Sequence, residues 1–322
     1  MQHSLKKIIK PFIPQTVLRE YQNIKIKKML KPIPEVVGIE NTNCCNAHCI
    51  TCPHGTSRRK LGFMDINLSR HITDECVRLG IKNLAIGFFG EPLLDTLLID
   101  RIDYAKKKGI EKVTTFSNAG CLNEDISRRL IESDLDKITI SIDGLEQETY
   151  ERVNIGLDYN KVSENVEKFI AMKRTFNNKK LSVIICSTVV EENRHEMEAY
   201  RSKYSKMLKD DGEVVLIAAF NWGGKHKIND AYIRKNRVPC HRPWNQLIFL
   251  IDGTAVLCCC DYDANVVVGD INKQSIPEIW KGAVLEDIRK CHLAREFVKI
   301  PLCNECSENY SVIQLKEGKE NS

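Results

Sequence analysis

The sequence lacks any long apolar run. No stretch approaches the roughly 20 apolar residues that a membrane-spanning helix needs. At the N-terminus, Lys6 and Lys7 are followed by a short apolar pair that Lys10 and Pro11 interrupt, so the apolar segment of a signal peptide does not form. We therefore expect a cytoplasmic protein with no membrane partner.

The chain also lacks a strong excess of charge of either sign. Its 322 residues carry a formal net charge of +5, with 43% hydrophobic and 28% charged residues, which is an ordinary globular composition. Much of the basic surplus lies in residues 6–32, where the simplest interpretation is a solvated, partly helical lead-in. Nucleic acid is not an expected partner.

Cysteine, by contrast, is abundant. The chain has 14 cysteines, and clustered cysteines in a cytosolic protein indicate metal or cluster binding rather than disulfides. The tightest group is Cys45, Cys49 and Cys52, spaced C-x3-C-x2-C. Three thiolates can hold three irons of a 4Fe-4S cluster and leave the fourth iron open to a ligand. The alternative is zinc, with His48 or His54 as a fourth ligand.

Short apolar runs alternate with helical stretches along the first two thirds of the chain. The runs predict strands at residues 35–40, 84–89, 112–116, 137–142, 181–190 and 213–220, with helices at 67–79, 97–108, 124–133, 162–176 and 192–208. This alternation is typical of a parallel sheet with right-handed crossovers. Six units are fewer than the eight of a closed barrel. The expected fold class is therefore α/β, a partial (β/α)6 TIM-like barrel.

A different pattern follows residue 220. Asp252-Gly253 separates apolar runs at 245–251 and 254–259, which predicts a β-hairpin. Further cysteines surround it: Cys240, Cys258, Cys259, Cys260, and a C-x2-C pair at Cys303 and Cys306. We expect a lead-in at 1–34, a core at 35–236, a small cysteine-rich β-hairpin/helix module at 237–310 and a frayed polar tail at 311–322.

Three more short motifs follow predicted strands. They are Gly90-Glu91-Pro92-Leu93-Leu94, Ser117-Asn118-Ala119-Gly120 and Ser141-Ile142-Asp143-Gly144. Ligand sites in parallel α/β proteins gather at this carboxyl edge of the strands. In this order with the cysteine triplet, the motifs make residues 35–310 resemble the radical S-adenosylmethionine (SAM) enzymes with a C-terminal SPASM or twitch-type auxiliary cluster domain.

The resemblance implies the cofactors and their ligands. It places a SAM-binding 4Fe-4S cluster on Cys45, Cys49 and Cys52. It places one auxiliary 4Fe-4S cluster on Cys240, Cys258, Cys303 and Cys306, because no cysteine follows Cys306. A structural zinc on these four sulfurs is the alternative. An electron donor such as flavodoxin or ferredoxin is the implied partner.

SAM itself is expected against the three motifs. Gly90 would let the backbone approach closely, and Glu91 would accept from the ammonium group of SAM. The remaining candidates are Pro92, Ser117, Asn118, Ser141 and Asp143, although turn chemistry alone also explains several of them. Many family members carry arginine after the third motif where this chain has Asn154, so Arg152 is the candidate for the carboxylate contact. Phe88 and Phe89 stand where the family has glycine.

The consecutive cysteines and several smaller candidates leave alternatives open. If residues 258–260 continue a strand, Cys258 and Cys260 share one face, and Cys260 is a spare ligand or a hydrogen donor at the active site. His241 is a candidate base, and residues 222–225 are a candidate loop lining the site. Cys44, Cys76, Cys121, Cys186 and Cys291 are most simply small buried residues.

Two functions are compatible with these features, and a third is a non-catalytic zinc-binding protein. The first is oxidation or epimerisation of a small polar molecule, since the chain resembles aminocyclitol dehydrogenases and epimerases with one auxiliary cluster. The second is maturation of a peptide substrate. About 34 residues precede the first strand, too few for a separate leader-binding module, which favours the first.

Overall fold

A parallel sheet of six strands forms the core of the computed structural model, which describes residues 14–227 and 231–315, with side chains to residue 310. The strands are β1 (Val36–Ile39), β2 (Asn83–Ile86), β3 (Lys112–Ser117), β4 (Lys137–Ser141), β5 (Ser182–Val189) and β6 (Gly212–Ala218). Each pairs in parallel with the next. None of the six extends more than one residue beyond its predicted segment, although β2 ends three residues before the predicted end.

Helices cover the crossovers between these strands. They are α2 (Ile66–Leu79), α3 (Leu98–Lys108), α4 (Glu124–Glu132), α5 (Gln147–Val153), α6 (Tyr159–Thr175) and α7 (Met197–Leu208), and α1 (Gln15–Lys27) precedes β1. Only the short helix α5 was not predicted in the core. Local signals set the ends: the Asp65 side chain caps α2, and Gly80 ends it with φ 72°. Within the described ranges, none of these helices combines the length and apolar character needed to cross a bilayer.

The sheet remains open. Three C-terminal strands extend it: β8 (Gln246–Phe249), β9 (Thr254–Val256) and β10 (Val267–Asp270). The strand order is β10-β9-β8-β1-β2-β3-β4-β5-β6, so β6 and β10 are the two edges in the part of the chain that the structure describes. The prediction of an α/β partial barrel is confirmed.

The two faces of the sheet differ in chemistry. Ile138, Ile140 and Ile185 point to the helices and are fully buried in the main core. Side chains alternate along a strand, so Thr139 and Ser141 lie on the opposite face, where both are only partly buried. The face away from the helices is therefore the one on which polar groups remain accessible.

The cysteine-rich module continues the barrel sheet. The predicted hairpin is formed by the antiparallel strands β8 and β9. β8 also pairs in parallel with β1, with Leu247 opposite Val37. Short helices complete the module: α8 (Arg242–Asn245), α9 (Ile276–Trp280), α10 (Ala283–Ala294) and α11 (Pro301–Asn304). The module boundary at residue 237 stays a prediction.

A second, two-stranded sheet corrects the expected tail. β7 (Tyr232–Arg237) pairs antiparallel with β11 (Tyr310–Leu315). The prediction of a frayed tail is therefore wrong for residues 311–315, because pairing with β7 satisfies backbone groups that a polar tail would leave to water. Residues 316–322 lie outside the described residues.

The lead-in packs against the module. Asn23 in α1 donates to the Leu293 carbonyl at 3.2 Å, and Trp280 donates through its indole to the Lys31 carbonyl at 3.0 Å. Most of α1 is exposed, as a solvated helix predicts, but Ile26 is buried. Lys6, Lys7 and Lys10 lie outside the described residues.

Candidate functional site

The loop after β1 carries the cysteine triplet. Cys45, Cys49 and Cys52 are free and partly buried. The loop is anchored to the end of α5, because the His48 and Ile50 amides donate to the Ile155 and Val153 carbonyls at 2.7 and 2.9 Å. Burial raises the pKa of Cys45 to about 11 and that of Cys52 to about 12. Metal binding here must therefore displace protons.

Glu91 connects this loop to the ends of β2 and β3. Its amide donates to the Cys44 carbonyl at 2.8 Å. Its carboxylate accepts from the Ser117 hydroxyl at 2.8 Å and the Asn118 amide at 2.7 Å, and it also caps the Leu93 amide. Burial raises its pKa to about 7. With a side chain occupied by protein donors and 1% exposed, Glu91 has a positioning role, and the expected contact with the SAM ammonium group does not fit.

Gly90 is required by a close approach between backbones. Its φ is 91°, and a Cβ atom there would lie 2.5 Å from the Cys44 carbonyl oxygen. Gly90 therefore packs directly against the loop that carries Cys45, Cys49 and Cys52, which we call the cluster loop. Pro92 is buried beside it and accepts through its carbonyl from Asn41 at 3.2 Å.

The second motif contacts the loop that carries the triplet. The Asn118 amide group donates to Asn46 Oδ1 at 2.8 Å, and Asn118 Oδ1 accepts from the Gly120 amide at 2.9 Å. Asn46 in turn donates to Cys121 Sγ at 3.6 Å. Asn118 therefore builds its own turn and also contacts the cluster loop.

The third motif reaches the triplet through a residue that the sequence analysis did not assign. Asp143 is buried and accepts from the Thr188 amide at 2.6 Å and from Asn154 Nδ2 at 3.2 Å. Asn154 also donates to Cys49 Sγ at 3.3 Å. Ser141 Oγ lies 3.5 Å from Asp143. Burial raises the pKa of Asp143 to about 6.

Arg152 does not lie with Asn154 beside Cys49. It is exposed on α5, whereas Asn154, two residues later, is buried against Cys49. The only sequence feature that distinguished Asn154 was that many family members carry arginine at this position. The SAM contacts of the motif residues stay predictions.

The histidines beside the triplet bear on the zinc alternative. His54 is buried, and its Nε2 lies 2.8 Å from the Asn43 carbonyl, so this nitrogen donates a proton instead of facing a metal. Among residues 14–227 and 231–315, no group of three His, Cys, Asp or Glu side chains is gathered closely enough to hold one metal ion.

The loop at residues 221–226 joins the two cysteine regions. The indole of Trp222 donates to the Thr51 carbonyl at 2.8 Å. The Asn221 side chain donates to the Glu305 carbonyl at 2.8 Å and accepts from the Ser307 amide at 2.9 Å. The Trp222 ring also meets Phe89 with centroids 6.0 Å apart. The predicted lining loop thus braces both cysteine loops.

The four C-terminal cysteines surround one cavity. Cys240, Cys258, Cys303 and Cys306 together line this cavity. Four convergent thiols are the donor set of one saturated 4Fe-4S cluster, so the residues present fit that group. Arg242 also lines the cavity and pairs with Glu308 at 2.6 Å.

His292 in α10 completes the cavity wall and was missed by the sequence analysis. Its Nδ1 lies 3.2 Å from the Cys240 amide and its Nε2 lies 3.5 Å from Cys303 Sγ. Burial, with the nearby charge of Arg237, lowers its pKa to about 4. The predicted candidate base, His241, stays a prediction.

Residues 258–260 do not continue a strand, which was the condition for the expected alternation, although Cys258 and Cys260 are both buried. β9 ends at Val256, so these cysteines lie in a turn where the two-residue period of a strand does not apply. Cys260 is fully buried in the main core, and its amide donates to Cys258 Sγ at 3.4 Å. This position does not fit a hydrogen donor facing a substrate. Cys259 is the partly exposed member.

The remaining cysteines divide into two groups. Cys76 and Cys186 are buried, as predicted. Cys44, Cys121 and Cys291 are only partly buried.

An open parallel barrel carries a three-cysteine loop at its strand ends and is continued by a module in which four cysteines line one cavity. This arrangement is typical of a cluster-binding α/β protein. Comparison with family models gives the family. The radical SAM superfamily model matches residues 39–202, and the iron–sulfur cluster-binding SPASM domain matches residues 240–307. The chain belongs to the radical SAM superfamily and carries a SPASM domain. These domains imply 4Fe-4S clusters and SAM as the cofactors.

Curated relatives match only part of the chain. A probable GTP 3′,8-cyclase of Methanococcus maripaludis is 28% identical over 132 residues, 41% of this chain and 44% of the relative. An AdoMet-dependent heme synthase of Methanosarcina barkeri is 28% identical over 119 residues, 37% of this chain and 34% of the relative. The match thus spans less than half the length of these relatives.

Solved structures share the fold over most of the chain. BtrN in complex with AdoMet and 2-DOIA gives a TM-score of 0.63 at 19% identity, covering 88% of this chain and 99% of BtrN. Streptococcus suis SuiB bound to precursor peptide SuiA gives 0.65 at 13% identity, covering 87% and 78%. anSMEcpe with bound AdoMet gives 0.62 at 15% identity, covering 87% and 88%.

Proposed function

We propose that the protein cleaves SAM reductively and removes hydrogen from a small polar alcohol, of the sugar or aminocyclitol type, which is then oxidised or epimerised. The observation that carries this proposal is the single cavity lined by Cys240, Cys258, Cys303 and Cys306. A cluster held there is an electron acceptor within the same chain. The likeness to BtrN, whose structure contains AdoMet and 2-DOIA, supports the substrate class.

The proposed oxidation balances with one acceptor of this kind. The carbinol carbon would lose a hydrogen atom to the radical chemistry that SAM supplies when bound near Cys45, Cys49 and Cys52, the hydroxyl group would lose its proton, and the remaining electron would be accepted at the auxiliary site held by Cys240, Cys258, Cys303 and Cys306. The alcohol thereby becomes a ketone. In epimerisation, a thiol would instead return a hydrogen atom to the opposite face of the substrate carbon, and the thiyl radical left behind would take one electron from the external reductant and one proton to restore the thiol.

The chain's own residues supply orientation. Ser141 and Thr139 offer hydroxyl groups on the sheet face away from the helices, which suits hydrogen bonding to a polyol. Glu91 and Asn154 hold the motif loops against the triplet. We propose that SAM lies among these loops, against Gly90, Pro92, Ser117, Asn118, Ser141 and Asp143.

The test is a substrate screen with isotope transfer. The protein is reconstituted with iron and sulfide without oxygen, reduced with dithionite, and given SAM with aminocyclitols or sugars deuterated at the carbinol carbon. Deuterium in the 5′-deoxyadenosine, together with a ketone or inverted product, is the expected result. Cys45→Ala is the control that abolishes both. If the preparation cleaves SAM but none of the labelled alcohols transfers deuterium to 5′-deoxyadenosine, the small-alcohol proposal is contradicted.

Peptide maturation is the second candidate, because SuiB with its precursor peptide SuiA shares the fold. The same preparation is offered peptides encoded beside its gene. A peptide product that has lost two hydrogen atoms by mass spectrometry selects this candidate. Replacing dithionite with flavodoxin or ferredoxin tests the proposed electron donor.

A further inference from the structure

One histidine bridges two of the four cavity cysteines. His292 is 0% exposed. Its ring meets Trp244 edge-on with centroids 5.9 Å apart and Phe297 with centroids 5.2 Å apart. Within this packing, one ring nitrogen faces Cys240 and the other faces Cys303.

The bond to Cys240 decides which nitrogen carries the proton. A backbone amide is only a donor, and the Cys240 amide lies 3.2 Å from Nδ1, so Nδ1 must accept. In a neutral imidazole the proton then resides on Nε2. Nε2 lies 3.5 Å from Cys303 Sγ. The ring therefore donates a hydrogen bond to this sulfur.

Such a bond has a specific electrochemical consequence. Hydrogen bonds to cluster sulfurs are among the factors that set the reduction potential, and outer-shell partners orient the ligands. Reduction adds negative charge that spreads onto the thiolates, so a donor at Cys303 stabilises the reduced form more than the oxidised form.

We propose that His292 is a positioning residue that raises the reduction potential of the auxiliary cluster through its Nε2–H bond to Cys303, while its Nδ1 holds the Cys240 backbone. The inference rests on the proposed function only in requiring a cluster on these cysteines. A higher potential makes the cluster a better acceptor for the electron that leaves an oxidised substrate.

A second donor approaches the same ligand. The Arg237 guanidinium donates to the Cys303 carbonyl and to the Asn304 carbonyl, and it stacks on Phe297 at 4.4 Å. At Cys303, therefore, the His292 ring donates to the sulfur and the Arg237 guanidinium donates to the backbone carbonyl. This convergence makes Cys303 the ligand at which removal of a donor is most informative.

The test compares three variants of the full chain by redox titration monitored by electron paramagnetic resonance. His292→Phe keeps a ring and removes both nitrogens. His292→Gln restores an amide donor near the position of Nε2. Trp244→Phe is the packing control, because Trp244 touches the His292 ring and makes no bond to a ligand sulfur. The auxiliary signal is the one that added SAM leaves unchanged.

We expect His292→Phe to keep about eight irons per chain and to shift the auxiliary midpoint to a more negative potential. His292→Gln is expected to recover part of the shift, and Trp244→Phe to stay at the wild-type value. An unchanged midpoint in His292→Phe overturns the proposal. An equal shift in Trp244→Phe also overturns it, because His292 would then act only as a packing residue. Loss of about half of the iron in both histidine variants overturns it as well, because His292 would then be a cluster ligand.

These measurements use no substrate. A failure of the alcohol proposal therefore leaves the titration intact, because wild-type protein with two cluster signals still reports the effect of His292. Wild-type protein without a SAM-insensitive signal would contradict the auxiliary cluster itself, and this inference would fail with it.

Discussion

The side-chain amide of Asn154 donates to Cys49 Sγ across 3.3 Å and to Asp143 across 3.2 Å. One short side chain thereby links the third motif to the triplet. A side-chain amide that donates to a thiolate stabilises the negative charge of that sulfur. We therefore expect Asn154 to stabilise the reduced form of the SAM-binding cluster.

Replacing Asn154 with leucine keeps the number of side-chain heavy atoms and removes both bonds, together with the bond that Asn154 Oδ1 accepts from the Asp143 amide at 3.2 Å. A hydrogen bond to a charged group contributes about 1.5–3 kcal/mol, so we expect SAM cleavage to slow by about tenfold or more, with a more negative midpoint of the SAM-binding cluster. The measurements are the rate of 5′-deoxyadenosine formation and a redox titration.

Arg152→Ala is the matched control two residues away. Arg152 is exposed, so its removal should leave SAM affinity and cleavage almost unchanged. A marked rise in the KM for SAM in Arg152→Ala would restore the carboxylate contact predicted from the sequence.

Gly90 offers a test of the close approach between backbones. Gly90→Ala places a Cβ 2.5 Å from the Cys44 carbonyl at φ 91°, whereas Gly109→Ala meets nothing within 4 Å at φ 103°. The Gly109 variant should lose about 1–2 kcal/mol from the left-handed conformation alone. The Gly90 variant should lose more, and should also lose iron from the SAM-binding cluster.

Urea unfolding and iron analysis check both glycine variants. Equal losses of stability with full iron content would show that the cluster loop accommodates the added methyl group. In that case, the close approach to Cys44 would not be the reason for glycine at this position.

The buried carboxyl group of Glu91 predicts a pH dependence. Burial raises its pKa from 4.5 to about 7, so the folded state retains this proton more tightly than the unfolded state. Its contribution to stability is present below about pH 4.5 and is lost as the pH rises through about 7. Glu91→Gln does not titrate, so the stability advantage of the wild type over this variant should shrink across that window.

Glu278→Gln is the control for that experiment. The pKa of Glu278 is lowered by hydrogen bonds from Ser275, so its contribution has the opposite sign and is lost as the pH falls. Denaturant titrations at several pH values measure both trends. A constant difference between the wild type and Glu91→Gln would mean that Glu91 is already ionised at the acidic end.

The consecutive cysteines can be separated by iron content. Cys258 lines the cavity, and Cys259 and Cys260 do not. We expect Cys258→Ala to reduce iron from about eight to about four per chain, and Cys259→Ala to keep the full amount. Cys260→Ala should keep its iron and form the same product, because Cys260 is fully buried. A changed product with full iron content would instead support Cys260 as the hydrogen donor.

Several features of this protein were predictable because they depend on local spacing. The intervals among Cys45, Cys49 and Cys52, and the Asp252-Gly253 turn, are short-range patterns that constrain a few neighbouring residues. The alternation of apolar runs likewise predicted the six parallel strands. The short core helix α5 was missed because its seven residues carry too little periodicity to be recognised.

Other features required contacts between distant residues. Asn154 meets Cys49 across 105 positions, and Trp222 meets Thr51 across 171. Glu91 looked like a ligand contact, but three protein donors surround it. Residues 311–315 were predicted as part of a tail, but β7 supplies a partner strand.

By itself, the sequence determined the family, the parallel barrel and the seven cysteines on which the clusters are expected. The tertiary structure alone decided that β8 joins the barrel beside β1, and that Asn154 and His292 each donate to a cysteine sulfur. The physical reason is that residue type and spacing record local geometry, whereas the direction of a side chain between distant elements is set only when those elements pack.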